Sequence, residues 1–277
     1  MFRLLPRATK LSKYTPWRGI STTRLPARSF SSGVAIAGLT SVLLLGYYSR
    51  DKASISLEAK KPLVEVRAKD IDTGVEFPNH IQSDSKELNL LGLGVRTVSF
   101  LRVKVYSLGI YADESAQRAL SAIENVKEKL AKTATPDDDQ LTGEKLMESV
   151  IKQSSFAVRI IPVRNTDFGH LRDGFIRAVQ ARIKVVQIDA EEAQQVNESL
   201  QTFKSYFPSS KVPKGNDLTL TKTSAGDLIL SYNGDTLGKL DSRDAGVAFI
   251  STQLLLAYFA DKNPISSKAK NSVINRL

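Results

Sequence analysis

Residues 88–112 read LNLLGLGVRTVSFLRVKVYSLGIYA. The run is apolar and alternating, yet Arg96 stands inside it, just after a pair of glycines. Val103 and Val105, interleaved with Arg102, Lys104 and Tyr106, have the period of two that a half-buried strand requires. A cation in such a run is either an ordinary strand-end charge or a fixed charge inside a pocket. On an unbroken strand, parity would put Arg96, Phe100 and Tyr106 on one face.

Gly92 and Gly94 invite comparison with a dinucleotide-binding loop. The third glycine position holds Thr97, however, and the residues beyond it read as a strand, so a phosphate would find no helix N-terminus to sit on. The glycines are expected instead to permit a tight backbone turn.

Outward from this stretch, LVEVRA and GVEF upstream read as short strands. Downstream, DESAQRALSAIENVKEKLAK reads as one helix, acidic at its start and basic at its end as the helix dipole prefers. A loop with TPDDD, a helix in LTGEKLMESVIKQ and a strand in SSFAVRIIPVR ended by Pro162 come next. Helices are expected over 168–185 and 190–207, the second capped by Asp189. LTLTKT, DLILSYNG and DTLGKLD form a meander with turns at AGD and NGD. Helices over 242–260 and 266–276 close the chain. This order predicts an α+β fold, an antiparallel sheet with helices packed mainly on one face.

The formal charge of +10 on 277 residues suggests nucleic acid as a partner only until its distribution is read. The first fifty residues hold eight Lys or Arg and no acid, leaving 31 basic against 29 acidic residues in the rest. A nearly neutral globular part has no basis for gripping phosphates by counterion release, and no nucleic-acid partner is expected. An Arg-rich, acid-free N-terminus is the composition of a mitochondrial presequence, assigned to residues 1–30. In RSFSS, Arg28 two residues before Phe30 resembles the matrix-protease cleavage pattern.

Residues 31–49 carry no charge. From Ser31 to Tyr48 a helix would span roughly 27 Å, against a hydrocarbon core of about 30 Å. Tyr47 and Tyr48 would sit at the interface, with Arg50 beyond. A secretory signal is the rival reading, opposed by the long basic lead. A presequence followed by an apolar stop implies an inner-membrane anchor, a linker over 50–62 and a domain over 63–277 in the intermembrane space. The other topology places the domain in the matrix.

The absence of cysteine excludes disulfides, thiolate catalysis and Cys-ligated metals. His80 and His170 are the only histidines, and they form no two-His metal motif. His80 reads as an exposed loop residue. His170 lies near the start of a predicted helix, where solvation or packing competes with ligation. No catalytic triad has a defensible spacing.

The opening stretch resembles the chalcone isomerase family in Gly92, Gly94 and Arg96 followed by a hairpin ending in Gly109, Ile110 and Tyr111. Ile161–Pro162 before a long helix, DLILSYNGDTLGKLD and NPISSKAK extend the resemblance over about residues 63–277. It implies an open-faced β-sandwich, a large antiparallel sheet covered by a layer of helices with a ligand cleft between. In the plant enzymes an arginine holds the substrate, while a threonine and a tyrosine organise a water on the developing enolate.

Arg96 matches that arginine. The threonine position falls on Tyr106 and the tyrosine position on Phe168, while later polar positions fall near Phe175 and Tyr258. Losing oriented donors removes the means of stabilising developing negative charge. The chain is thus more similar to the non-catalytic, fatty-acid-binding members, and its presequence to a fungal mitochondrial branch. The resemblance implies Arg96, Tyr106, Phe168 and Tyr258 as ligand-binding residues, Arg96 meeting a hydrophobic carboxylate bidentately. Alternatives are an isomerase or lyase using Arg96 as electrophile, a haem protein with His170 on iron and Arg96 toward a propionate, and a partner-binding domain in which Arg96 caps backbone carbonyls.

Overall fold

A computed structural model describes residues 66–98, 100–132 and 142–277. The presequence, the apolar segment at 31–49, the linker over 50–62 and the TPDDD loop lie outside the described residues. From Pro62 to Leu277 the chain forms one compact unit.

Two short strand pairs, β1 (Arg67–Lys69) with β2 (Glu76–Pro78) and β7 (Thr166–Asp167) with β8 (Lys211–Val212), accompany one large antiparallel sheet. The strands of that sheet are β3 (His80–Ser83), β4 (Lys86–Val98), β5 (Val103–Ala112), β6 (Phe156–Pro162), β9 (Leu218–Lys222), β10 (Leu228–Tyr232) and β11 (Asp235–Leu240). They lie side by side in the order β11-β10-β9-β6-β5-β4-β3. Alternation on β5 sorts its side chains between two layers. Tyr106, Leu108, Ile110 and Ala112 enter the main core, whereas Tyr111 joins a smaller cluster with Leu88 and Ala157, its hydroxyl donating to the Pro78 carbonyl at 2.9 Å.

The helices α1 (Glu114–Ser121), α2 (Val126–Ala131), α3 (Gly143–Gln153), α4 (Phe168–Val186), α5 (Ala190–Ser205), α6 (Val247–Leu256) and α7 (Ser267–Arg276) complete the α+β fold. Asp113, Thr142, Asp167, Asp189 and Ser266 each accept a main-chain N–H at a helix start, as capping requires. The α6 sequence VAFISTQLLL is apolar nearly all round, and the helix is correspondingly buried. Its one long polar side chain, Gln253, accepts from Arg182 at 2.9 Å, and Arg182 in turn pairs with Glu144, so a satisfied polar network joins α3, α4 and α6.

Three expectations need correction. The single helix read from 113–132 is two, because the chain breaks after Ser121 and Asn125 adopts a left-handed φ of 54°. Phe100 does not share the face of Arg96: β4 ends at Val98, Arg102 turns the chain at φ 50°, and Phe100 is 92% exposed at the hairpin tip. Gly92 and Gly94 make no turn either. They lie mid-strand, opposite Ile110 and Leu108, on the face that α7 covers.

The glycines are there for a close approach. A Cβ on Gly92 would come within 2.7 Å of the Val273 nitrogen, and one on Gly94 would overlap the Ala269 backbone. Gly94→Ala should therefore lower stability by about 1–3 kcal/mol, the scale of overpacking a tight contact. Gly174→Ala on α4, with nothing within 4 Å of the added carbon, should raise it by roughly 0.5–1 kcal/mol. Urea denaturation midpoints of both variants check the pair, and equal shifts would contradict this packing.

Candidate ligand-binding site

The row Gly92, Gly94, Arg96 leads from under α7 to its open end. Ser266 caps that helix and also donates its hydroxyl to the Val95 carbonyl at 2.8 Å, so α7 begins level with Arg96. A bulge in β4 follows Arg96, which faces Tyr106 directly across the ladder. The helix covers the glycines and leaves the arginine beside an opening.

That opening is a cavity of about 530 Å³. Arg96, Tyr106, His170, Arg177 and Lys211 supply much of its polar wall, and Val98, Val105, Leu171, Phe175 and Ile265 its apolar wall. The volume falls within the range of roughly 300–1,000 Å³ typical of small-molecule sites. Its polar lining is cationic: Asp167 is the only carboxylate among the lining residues, and it is engaged by His170. Among the described residues no carboxylate pairs with Arg96, Arg177 or Lys211. Half-buried, Arg96 contacts the Tyr106 phenol.

Beneath this wall lies Tyr258, fully buried just after α6. Burial pushes the Tyr106 phenol above its ordinary range, against the opposing pull of Arg96. Burial likewise raises Tyr258 well above the ordinary phenol value, and the neighbouring Tyr106 adds to the effect. Both hydroxyls therefore keep their protons at neutral pH. The Tyr258 oxygen neighbours the Tyr106 phenol, yet among the described residues it finds no partner at regular hydrogen-bond geometry. An unmade bond at a buried hydroxyl costs on the order of 1–3 kcal/mol, so the site contains an unsatisfied polar atom beside a cation.

Phe168 is placed differently from Arg96 and Tyr106. It begins α4, is 2% exposed and packs its ring edge-on against Tyr232 at 4.9 Å, outside the cavity wall. His170, in the first turn of α4, shares the Arg96 cavity, and its Nδ1 meets the Asp167 carboxylate at 2.5 Å. His80 is exposed at the start of β3. Among the described residues no cluster of His, Asp and Glu could hold a metal ion.

Sequence reasoning did not assign Arg177 or Lys211 to the site. Arg177 stands seven residues after His170, two helical turns on, a spacing that could have suggested it. Lys211 arrives through the two-residue pairing of β7 with β8, too short to announce itself in sequence.

The described geometry agrees with the comparisons to known proteins. A family model described as chalcone isomerase like matches residues 86–274, and this chain belongs to that family. A relative from Debaryomyces hansenii, Altered inheritance of mitochondria protein 18, mitochondrial, is 28% identical over 286 residues, 94% of this chain and 93% of its own length. The protein of that name from Eremothecium gossypii is 32% identical over 211 residues, 68% of this chain and 66% of the relative. The crystal structure of an Arabidopsis thaliana fatty-acid binding protein superposes with a TM-score of 0.57 at 21% identity, covering 76% of this chain and 97% of that one. That likeness shows the fold, an antiparallel sheet carrying a layer of helices.

Proposed function

We propose that this chain is a mitochondrial, non-catalytic binding protein that holds a hydrophobic carboxylate, of the fatty-acid class, with Arg96 as its anion anchor. The observation that carries the reading is a half-buried arginine without a carboxylate partner among the described residues, opening on a cavity of about 530 Å³. A ligand carboxylate there accepts from the guanidinium and from the Tyr106 hydroxyl, and lies near the unsatisfied Tyr258 hydroxyl. The acyl chain runs along Val105, Leu171, Phe175 and Ile265. Phe168 supports the wall from behind through its contact with Tyr232. The fatty-acid-binding neighbour of the same fold supports the ligand class.

The absence of catalysis rests on the site's lost donors. Phe168 carries no hydroxyl, and its ring packs against Tyr232 outside the cavity wall. Arg96→Ala should weaken binding of a long-chain fatty acid by roughly 1.5–3 kcal/mol, the scale of a hydrogen bond to a charged group, with His170→Ala nearly silent by calorimetry. The same protein should cyclise a hydroxychalcone no faster than buffer does. Unchanged affinity in Arg96→Ala would contradict the anchor.

A second reading has one observation in its favour. Asp167 fixes His170 through Nδ1, which leaves Nε2 as the ligating nitrogen, and Arg96 lines the same cavity. Haem bound there would give a Soret band that His170→Ala shifts or removes.

We further propose that residues 31–49 anchor the chain in the inner membrane, with the domain in the intermembrane space. The uncharged stretch behind a basic leader supports this, and the relatives are named as mitochondrial proteins. Protease added to mitochondria with ruptured outer membranes should digest the domain. Protection that lasts until detergent is added would put it in the matrix.

A further inference from the structure

The β4–β5 hairpin ends in a group of apolar side chains that no fold requirement explains. Phe100 is 92% exposed, Leu101 69% and Val98 41%. Phe100 and Leu101 sit at the turn itself, where a polar tip would serve as well. Val98 belongs to two features at once, since it also lines the cavity beside Arg96. The apolar tip is therefore continuous with the cavity mouth.

Its surroundings are basic. Arg102 and Lys104 are exposed on the descending arm of the hairpin, and Arg177 and Lys211 are exposed on the cavity wall. Arg102, Arg177 and Lys211 have no carboxylate partner among the described residues. Only Asp167 among the cavity residues carries negative charge, and it faces His170. Projecting aromatic and aliphatic side chains ringed by unpaired cations complement an anionic bilayer, where the apolar groups enter the acyl boundary and the cations meet headgroups. A protein partner fits less well. Three apolar side chains fall far short of the surface of roughly 1,000 Å² that a stable protein interface buries.

We infer that the β4–β5 hairpin tip is a membrane-docking element that inserts Phe100 and Leu101 into an anionic lipid surface and so opens the Arg96 cavity toward the bilayer. This docking is separate from any anchoring by residues 31–49 and independent of which ligand the cavity holds. It would let an apolar anion pass between bilayer and cavity without crossing water. Docking could occur with an empty or a haem-filled site, so its failure is distinct from failure of the ligand reading.

The test uses the full chain, whose one tryptophan, Trp17, is replaced by phenylalanine so that Phe100→Trp supplies the sole indole. On phosphatidylcholine–phosphatidylserine vesicles the emission should shift to the blue and be quenched by brominated acyl chains, with a smaller response on phosphatidylcholine alone. Adding Leu101→Asp should abolish the response. A tryptophan placed by Val185→Trp in the same Trp17→Phe background, exposed near the far end of α4, should stay unquenched, which separates tip insertion from general adsorption. Unchanged Phe100→Trp emission on anionic vesicles would overturn the proposal, whatever residues 31–49 do. So would a blue shift that grows with protein concentration in the absence of lipid, which would assign the tip to a second copy of the chain.

Discussion

The site depends on how closely α7 approaches β4. Two glycines on one strand face let the helix backbone lie almost directly on the sheet, and a side chain at either position would lift it. The Ser266 cap, tied to the Val95 carbonyl, fixes where that contact stops. Arg96 occupies the next place in the same row, opposite Tyr106 and beside the cavity. The glycines and the arginine thus form one device. The glycines seat the helix, and the end of the helix exposes the cation.

The electrostatics of the cavity follow from that placement. A guanidinium half removed from water without a counter-ion bears a desolvation cost that an anion would offset. Tyr106 and Tyr258 cannot serve as that anion, because burial raises both phenols. They can donate to one. Arg177 and Lys211 add to the positive potential at the mouth and favour negatively charged molecules over neutral ones of the same shape. On the proposed reading, the apolar wall selects among anions for those with a hydrophobic body.

Much of this was legible in the sequence, for identifiable reasons. Strand alternation, acidic helix caps and the NGD turn are local signals, and β5, α4, α5 and the meander formed close to where they were expected. Arg96 and Tyr106 were expected on one face from the parity of an unbroken strand, whereas they face each other because a bulge shifts the register from Thr97 opposite Lys104 to Arg96 opposite Tyr106. Phe100 could not be placed by that rule, since the strand ends two residues before it. The glycines were misread as a turn because the reason for them, Ala269 and Val273, lies far along the chain. Phe168 shows the same limit: a matched position located its helix, yet packing against Tyr232 decided which way its ring went. The cavity's composition, above all Lys211, needed the tertiary structure.

The central claim is that the cavity beside Arg96 holds an apolar anion. The most direct test is the mass and absorbance spectrum of whatever an organic solvent extracts from the protein purified out of mitochondria in its native state. The account predicts an organic carboxylate with a long apolar body, present in amounts comparable to the protein. An extract with no ligand, or with only neutral or cationic lipids, would contradict it.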